Sequence, residues 1–168
     1  MDNNKALYSK RFTLKALSNH DANERYLSWL QDEDTAQFIS YLQKDIIGLS
    51  HYIDQQNNNE HCWFWGIFSQ GKHLGNIKFQ RLNSYPNVAT MGILIGDKNW
   101  QGQGVAPEVL EVSIEYLKVN FSITEINLGV KKSNHSAIKA YEKIGFKVST
   151  AGYFDFPEQS LEMIKKLN

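Results

Sequence analysis

The chain has 168 residues, 42% of them hydrophobic, and its 18 Lys and Arg equal its 18 Asp and Glu. That length suffices for one domain with its own core, so a single domain over residues 1–168 is expected. The balanced charge excludes a global field that would gather nucleic acid, an anionic membrane or an acidic protein. The one cysteine, Cys62, cannot form an intramolecular disulfide, and the five histidines show no metal-ligand spacing, so no metal site is expected. Residues 1–5 lack a basic-then-apolar leader, and no stretch reaches the ~20 apolar residues of a membrane helix. A cytoplasmic protein is the expectation.

In chain order, residues 11–16 are the first strand candidate. Ser18, Asn19, His20 and Asp21 then offer capping groups for a helix that turns Tyr26, Trp29 and Leu30 inward and ends near Asp32. Leu49, Tyr52 and Ile53, spaced i, i+3, i+4, mark a second helix, and the polar run 55–59 reads as an exposed loop after it. Residues 62–68 are rich in aromatics, 69–72 form a turn signal and 73–82 alternate, which together predict a hairpin. Residues 88–95 form a further strand whose apolar end, Ile93, Leu94 and Ile95, predicts a central position with both faces covered. A helix over about 104–120 aligns Ala106, Leu110, Ser113 and Leu117 beside Val109 and Ile114. A strand at 123–130, a helix at 134–144 closed by Gly145, and strands at 146–151 and 161–166 complete an α/β (α+β) pattern with helices packed on a central sheet.

The richest segment is Gln101-Gly102-Gln103-Gly104-Val105-Ala106, at a strand-to-helix turn. Glycines there let the backbone approach a ligand closely, and the unbonded amides of a first helical turn attract phosphate. A nucleoside-triphosphate loop needs Gly-Lys-Ser/Thr, which Gly104-Val105-Ala106 lacks, and a dinucleotide fingerprint needs a small residue where Pro107 stands. Gln101, Gly104 and Ala106 do match Gln/Arg-x-x-Gly-x-Gly/Ala. Here the sequence resembles the GNAT superfamily of N-acetyltransferases, which binds the pyrophosphate of coenzyme A on that turn. Asn134-His135-Ser136-Ala137 followed by Ala140-Tyr141-Glu142-Lys143-Ile144-Gly145-Phe146 resembles the family's second coenzyme A segment. The opening, Phe12 to Leu17 and Tyr26 to Asp32, is similar to the branch that holds ribosomal-protein and amino-sugar N-acetyltransferases.

The resemblance implies a mixed, mostly antiparallel sheet of six to seven strands flanked by about four helices. It also implies acetyl-CoA as co-substrate and direct transfer to a primary amine. It assigns Ile93, Leu94 and Ile95 to the cofactor arm and thioester, Gln101 through Ala106 to the pyrophosphate, and Asn134 and Ala137 to the arm. Tyr141 becomes the acid or hydrogen-bond donor for the departing thiolate; without the motif, its place on an Ala137, Ala140, Tyr141, Ile144 stripe reads as core. Asn134 alone reads as a helix cap, and Lys131 and Lys132 as a solvated pair. Where many relatives carry a Glu as base, this chain has Thr90, which cannot serve as one. Water held by Thr90, Asp32, His51, Glu60 or a substrate amine of low pKa would fill the gap. Trp29, with Tyr52, Trp63, Trp65 and Tyr85, suits stacking on an acceptor, which favours a nucleotide-linked amino sugar over a polyamine or a protein N-terminus. A non-catalytic acyl-CoA-binding module is a further alternative. The resemblance and the C-terminal strand pair also suggest a homodimer.

Overall fold

The structure is a computed structural model that describes residue 3 and residues 5–32 and 43–168. It contains a mostly antiparallel sheet of eight strands, in the order β1-β2-β3-β4-β5-β6-β8-β7, and four α-helices among the described residues. The strands are β1 (Leu7–Tyr8), β2 (Thr13–Lys15), β3 (Cys62–Ser69), β4 (Lys72–Arg81), β5 (Val88–Ile95), β6 (Glu125–Lys131), β7 (Lys147–Ser149) and β8 (Ser160–Lys166). The helices are α1 (Glu24–Gln31), α2 (Ile46–Asn57), α3 (Val105–Phe121) and α4 (His135–Lys143). The eighth strand beyond expectation is β1, which at two residues is too short to show periodicity; it pairs Leu7 with Leu14 and Tyr8 with Thr13. No helix among the described residues is long and apolar enough to cross a membrane.

Two compact units make up the chain, Met1–Lys78 with Ile93–Ser113, and Phe79–Gly92 with Ile114–Asn168. In the first, Cys62, Phe64 and Phe68 of β3 form one core cluster with Tyr26 and Leu30 of α1 and Leu49 and Ile53 of α2, while Trp63 and Trp65, which alternate with them along the strand, are also buried. The helix that carries Tyr26 begins later than the sequence suggests. Ser18 and Asp21 satisfy each other, Ser18 N donating to Asp21 Oδ2 at 2.7 Å, and close a short 3-10 turn over Asn19–Asp21. Asn23 caps α1 instead, its Oδ1 accepting from Tyr26 N at 3.0 Å. Gln55, Gln56 and Asn57 are not loop but the last turn of α2. Asn57 donates to the Leu17 carbonyl at 2.8 Å, a tertiary bond that outweighs the poor helix propensity of Asn.

The second unit is built on β6, which pairs in parallel with β5 over Val88↔Glu125, Ala89↔Ile126 and Thr90↔Asn127, and antiparallel with β8 over seven residue pairs from Glu125↔Lys166 to Lys131↔Ser160. Its core holds Phe79, Ile126, Leu128, Phe146 and Met163. Along β5, burial is as predicted at Val88, Ala89, Met91 and Leu94, but Ile93 and Ile95 are only half-buried. An apolar run in a central strand was therefore a poor guide to its last turn, because hydrogen-bonded pairing with β6 occupies only the first three residues of β5.

Candidate functional site

In the first unit, the chain leaves β5 at Ile95, makes a 3-10 turn at Lys98–Trp100, and enters α3 at Val105. Gly102 and Gly104 have φ of +70° and +72°, a conformation that L side chains rarely adopt, so the two glycines let the turn form without strain. Gln101, Gly102, Gln103 and Gly104 are exposed, Val105 is buried and Ala106 half-buried. The Gln101 side chain folds back, donating from Nε2 to the Ile95 carbonyl at 2.9 Å. Pro107 stands at the third helical position, where its missing N–H costs no intrahelical bond.

Arg11 bolts this turn from the β1–β2 connection. Its Nη1 donates to the Gln103 carbonyl at 2.9 Å, its Nη2 to the Gly104 carbonyl at 3.2 Å, and its Nε to Glu108 Oε2 at 2.7 Å. With two carbonyls drawn toward the guanidinium, the amides of these peptides face the opposite way. Burial works against ionising Glu108, yet hydrogen bonds from Ser9 and Arg11 and the charge of Arg11 hold its carboxyl below the usual range. Arg11 sits at a predicted strand end, with no sequence signal tying it to a turn 92 positions on.

Beside it lies a cleft of about 510 Å³ lined by Arg25, Trp29, Asp32, Lys72, Asp97 and Lys98 among others. Trp29 is buried against Gly96, where a Cβ would fall 1.9 Å from the indole, and Arg25 lies over the same ring at 4.9 Å. Asp97 accepts from Arg25 at 2.8 Å and from Lys72 at 3.0 Å. Asp32 is ion-paired with Lys98 at 2.9 Å, and His51 and Glu60 are exposed, so none of these three is poised as a base. The expected stacking platform is largely core: Trp63, Trp65 and Tyr52 are buried, while Tyr85 is 42% exposed.

In the second unit, Thr90 of β5 donates from Oγ1 to Asn127 Oδ1 at 2.8 Å, and Asn127 Nδ2 donates to Glu162 Oε1 at 2.9 Å. Glu162 Oε2 accepts from Gly152 N at 2.9 Å. Neither Asn127 nor Glu162 stood out in the sequence; the strand register alone joins them to Thr90. Tyr153 packs against Tyr85 with the rings tilted by 57° and their centroids 4.8 Å apart, and its phenol is pushed up by a hydrogen bond to Glu125, by burial and by the charges of Glu125 and Glu162. Asn134 caps α4, accepting from Ala137 N at 3.2 Å, which leaves its Nδ2 to donate elsewhere. Tyr141 is half-buried against Phe146, and burial pushes its phenol up to about 12. The inward stripe is Ala137, Ile138, Tyr141 and Ile144; Ala140 is exposed, which corrects its place in the expected face. Lys131 and Lys132 are exposed. No group of three or more His, Cys, Asp or Glu that could hold a metal occurs among the described residues.

Comparison with known proteins adds the following. The acetyltransferase (GNAT) domain family matches residues 11–147. A probable spermine N(1)-acetyltransferase of Bacillus subtilis subsp. natto is 31% identical over 132 residues, 76% of this chain and 67% of that one. An N-alpha-acetyltransferase of Saccharolobus solfataricus is 29% identical over 94 residues, 53% of this chain, and the match spans only 56% of that relative's length. Among solved structures, a ribosomal alpha-N-protein acetyltransferase in complex with coenzyme A has a TM-score of 0.80 at 14% identity, covering 97% of this chain and 98% of the other. A microcin self-immunity acetyltransferase in complex with acetyl-CoA and AMP has a TM-score of 0.78 at 17% identity, covering 94% and 93%. The eight-stranded fold, the glycine turn before α3 and the match over residues 11–147 agree: the chain belongs to the acetyltransferase (GNAT) domain family and is an N-acetyltransferase by class.

Proposed function

We propose that this chain binds acetyl-CoA and passes the acetyl group directly to a primary amine of a small cationic molecule, with a polyamine as the favoured class. The observation that carries the donor half is the turn at Gly102 and Gly104, held by Arg11 at the start of α3, whose outward amides and helix dipole suit a pyrophosphate. Asn134 Nδ2 is a side-chain donor that the family resemblance assigns to the cofactor arm. The acceptor half rests on the second unit, where Glu125 and Glu162 accompany the paired rings of Tyr85 and Tyr153, an anionic and aromatic surrounding that favours a cation. The spermine-acetylating relative supports the same class. The amino-sugar reading loses its main support, since four of the five aromatic residues behind it, Trp29, Tyr52, Trp63 and Trp65, are buried.

In the reaction, the amine nitrogen attacks the thioester carbon, the C–N bond forms and the C–S bond breaks. One proton leaves the nitrogen and one ends on the coenzyme A sulfur. Burial that pushes the Tyr141 phenol up to about 12 keeps it protonated and able to donate. Tyr141 therefore serves as a hydrogen-bond donor to the developing thiolate, and the thiol takes its proton from solvent.

A thiol-release assay with acetyl-CoA against spermine, spermidine, amino sugars and N-terminal peptides tests this. Turnover concentrated on the polyamines is the expected result. Turnover on peptides alone would replace the acceptor with a protein N-terminus, the second reading, which the archaeal relative favours. Tight acetyl-CoA binding with no turnover on any amine would overturn catalysis and leave a binding module.

A further inference from the structure

The hydrogen-bond chain behind Thr90 has a direction, and that direction specifies what Thr90 can bind. Glu162, as a carboxylate, has only lone pairs to offer. Its two oxygens each sit 2.9 Å from a nitrogen, Asn127 Nδ2 and the backbone N of Gly152. Asn127 must therefore turn its NH₂ toward Glu162 and its carbonyl toward Thr90, so that valence rather than convention fixes the amide orientation. The 2.8 Å contact between Thr90 Oγ1 and Asn127 Oδ1 needs one proton, and only the hydroxyl has it. Thr90 thus spends its sole donor inward. Its oxygen can form any further bond only by accepting.

Asn127 is fully buried, which holds the chain in a low-dielectric setting where a misdirected bond is costly and where each bond polarises the next. Thr90 is half-buried at the β5 end of the chain, whereas Asn127 is fully buried, so of the two Thr90 is the one left with any exposure. We propose that Thr90 accepts an N–H of the incoming amine and that Asn127 and Glu162 are positioning residues that keep it an acceptor. The proposal deepens the acetyl-transfer reading and rests on it for the substrate class. An N–H bond to Thr90 leaves the nitrogen lone pair free to attack, whereas a donor at that position would occupy the lone pair and block the reaction. The residue that cannot be a base thereby orients the nucleophile.

The experiment measures KM for spermidine, KM for acetyl-CoA and kcat, with calorimetric Kd values for both ligands as a check on folding. Thr90→Val should raise KM for spermidine about tenfold and leave acetyl-CoA affinity unchanged, while Thr90→Ser should retain most of the wild-type value. Glu162→Gln puts an NH₂ opposite either Asn127 or Gly152, both donors. If Asn127 turns over to meet it, Thr90 must accept inward and its proton points outward, so amine KM should rise as in Thr90→Val. The double variant Asn127→Asp with Glu162→Gln restores the direction: Gln accepts from Gly152 and donates to Asp, and Asp accepts from Thr90. Recovery of spermidine KM in the double variant supports the proposal, because a merely structural role predicts further loss. Unchanged amine KM and Kd in Thr90→Val, or failure of the double variant to recover while it still binds acetyl-CoA, overturns it. A wild-type protein that binds spermidine without turnover sinks the acetyl-transfer reading alone, and Kd for spermidine then decides the role of Thr90. A wild-type protein that binds no amine at all sinks both.

Discussion

Tyr141 loses hydration on α4, and the cost falls on its phenolate, leaving a strong hold on the proton. Replacing it with Phe should lower kcat about 10²-fold with acetyl-CoA affinity retained, since only the bond to the departing sulfur is lost; an unchanged single-turnover rate would remove Tyr141 from the mechanism. Gly96 offers a structural counterpart. A methyl there would meet the Trp29 ring at 1.9 Å, and because that ring is packed against His73 and Tyr26 at 5.0 and 5.7 Å, it has little room to retreat. Gly96→Ala should destabilise by about 1–3 kcal/mol through overpacking, read as a drop in Tm. Tyr141, Asn134 and the two glycines were legible in the sequence because a local motif surrounds them. Asn127 and Glu162 were not, since they stand 37 and 72 positions from Thr90 and gain meaning only from the strand register.

The same division appears among the elements. The glycine turn could be located from its own residues, yet what stiffens it, Arg11, comes from the opposite end of the first unit's sequence. Arg11→Met should raise KM for acetyl-CoA severalfold with little change in Tm, because a guanidinium that is 39% exposed contributes modestly to stability while still fixing where the turn's amides point. Unaltered acetyl-CoA KM would show that the turn holds itself. Helix α4 depends on Asn134, so Asn134→Ala should cost about 0.5–2 kcal/mol through the lost cap to Ala137. Sequence periodicity gave α3 to within a residue at each end but misplaced the start of α1 and the end of α2, where Ser18, Asp21 and Asn57 find partners that propensity does not weigh.

For the molecule as a whole, two carboxylates of the first unit set the response to acid. Asp97 is opposed by burial, but hydrogen bonds from Lys72 and Asn99 and the charges of Lys72 and Arg25 outweigh it and hold it below the ordinary Asp value, as Ser9 and Arg11 do for Glu108. A depressed folded value means that this stability is present in full above about pH 4 and is lost as pH falls through the lower folded values. Tm should therefore begin to fall below about pH 6.5, where burial keeps His73 neutral while the unfolded chain takes up its proton, and fall further below about pH 4. Asp97→Asn should start lower at neutral pH and fall less steeply in acid; a Tm profile that keeps its full acid slope would show that other carboxylates dominate.

The strand order ends on β1, with two residues, and on β7, with three, while the seven-residue β8 lies between β6 and β7. Among the described residues, no long run of free backbone donors and acceptors therefore stands at either margin of the sheet. Lys147 at the start of β7 further discourages a neighbouring strand from joining. Margins this short give a neighbouring chain little backbone to pair with, which disfavours templated stacking into fibrils.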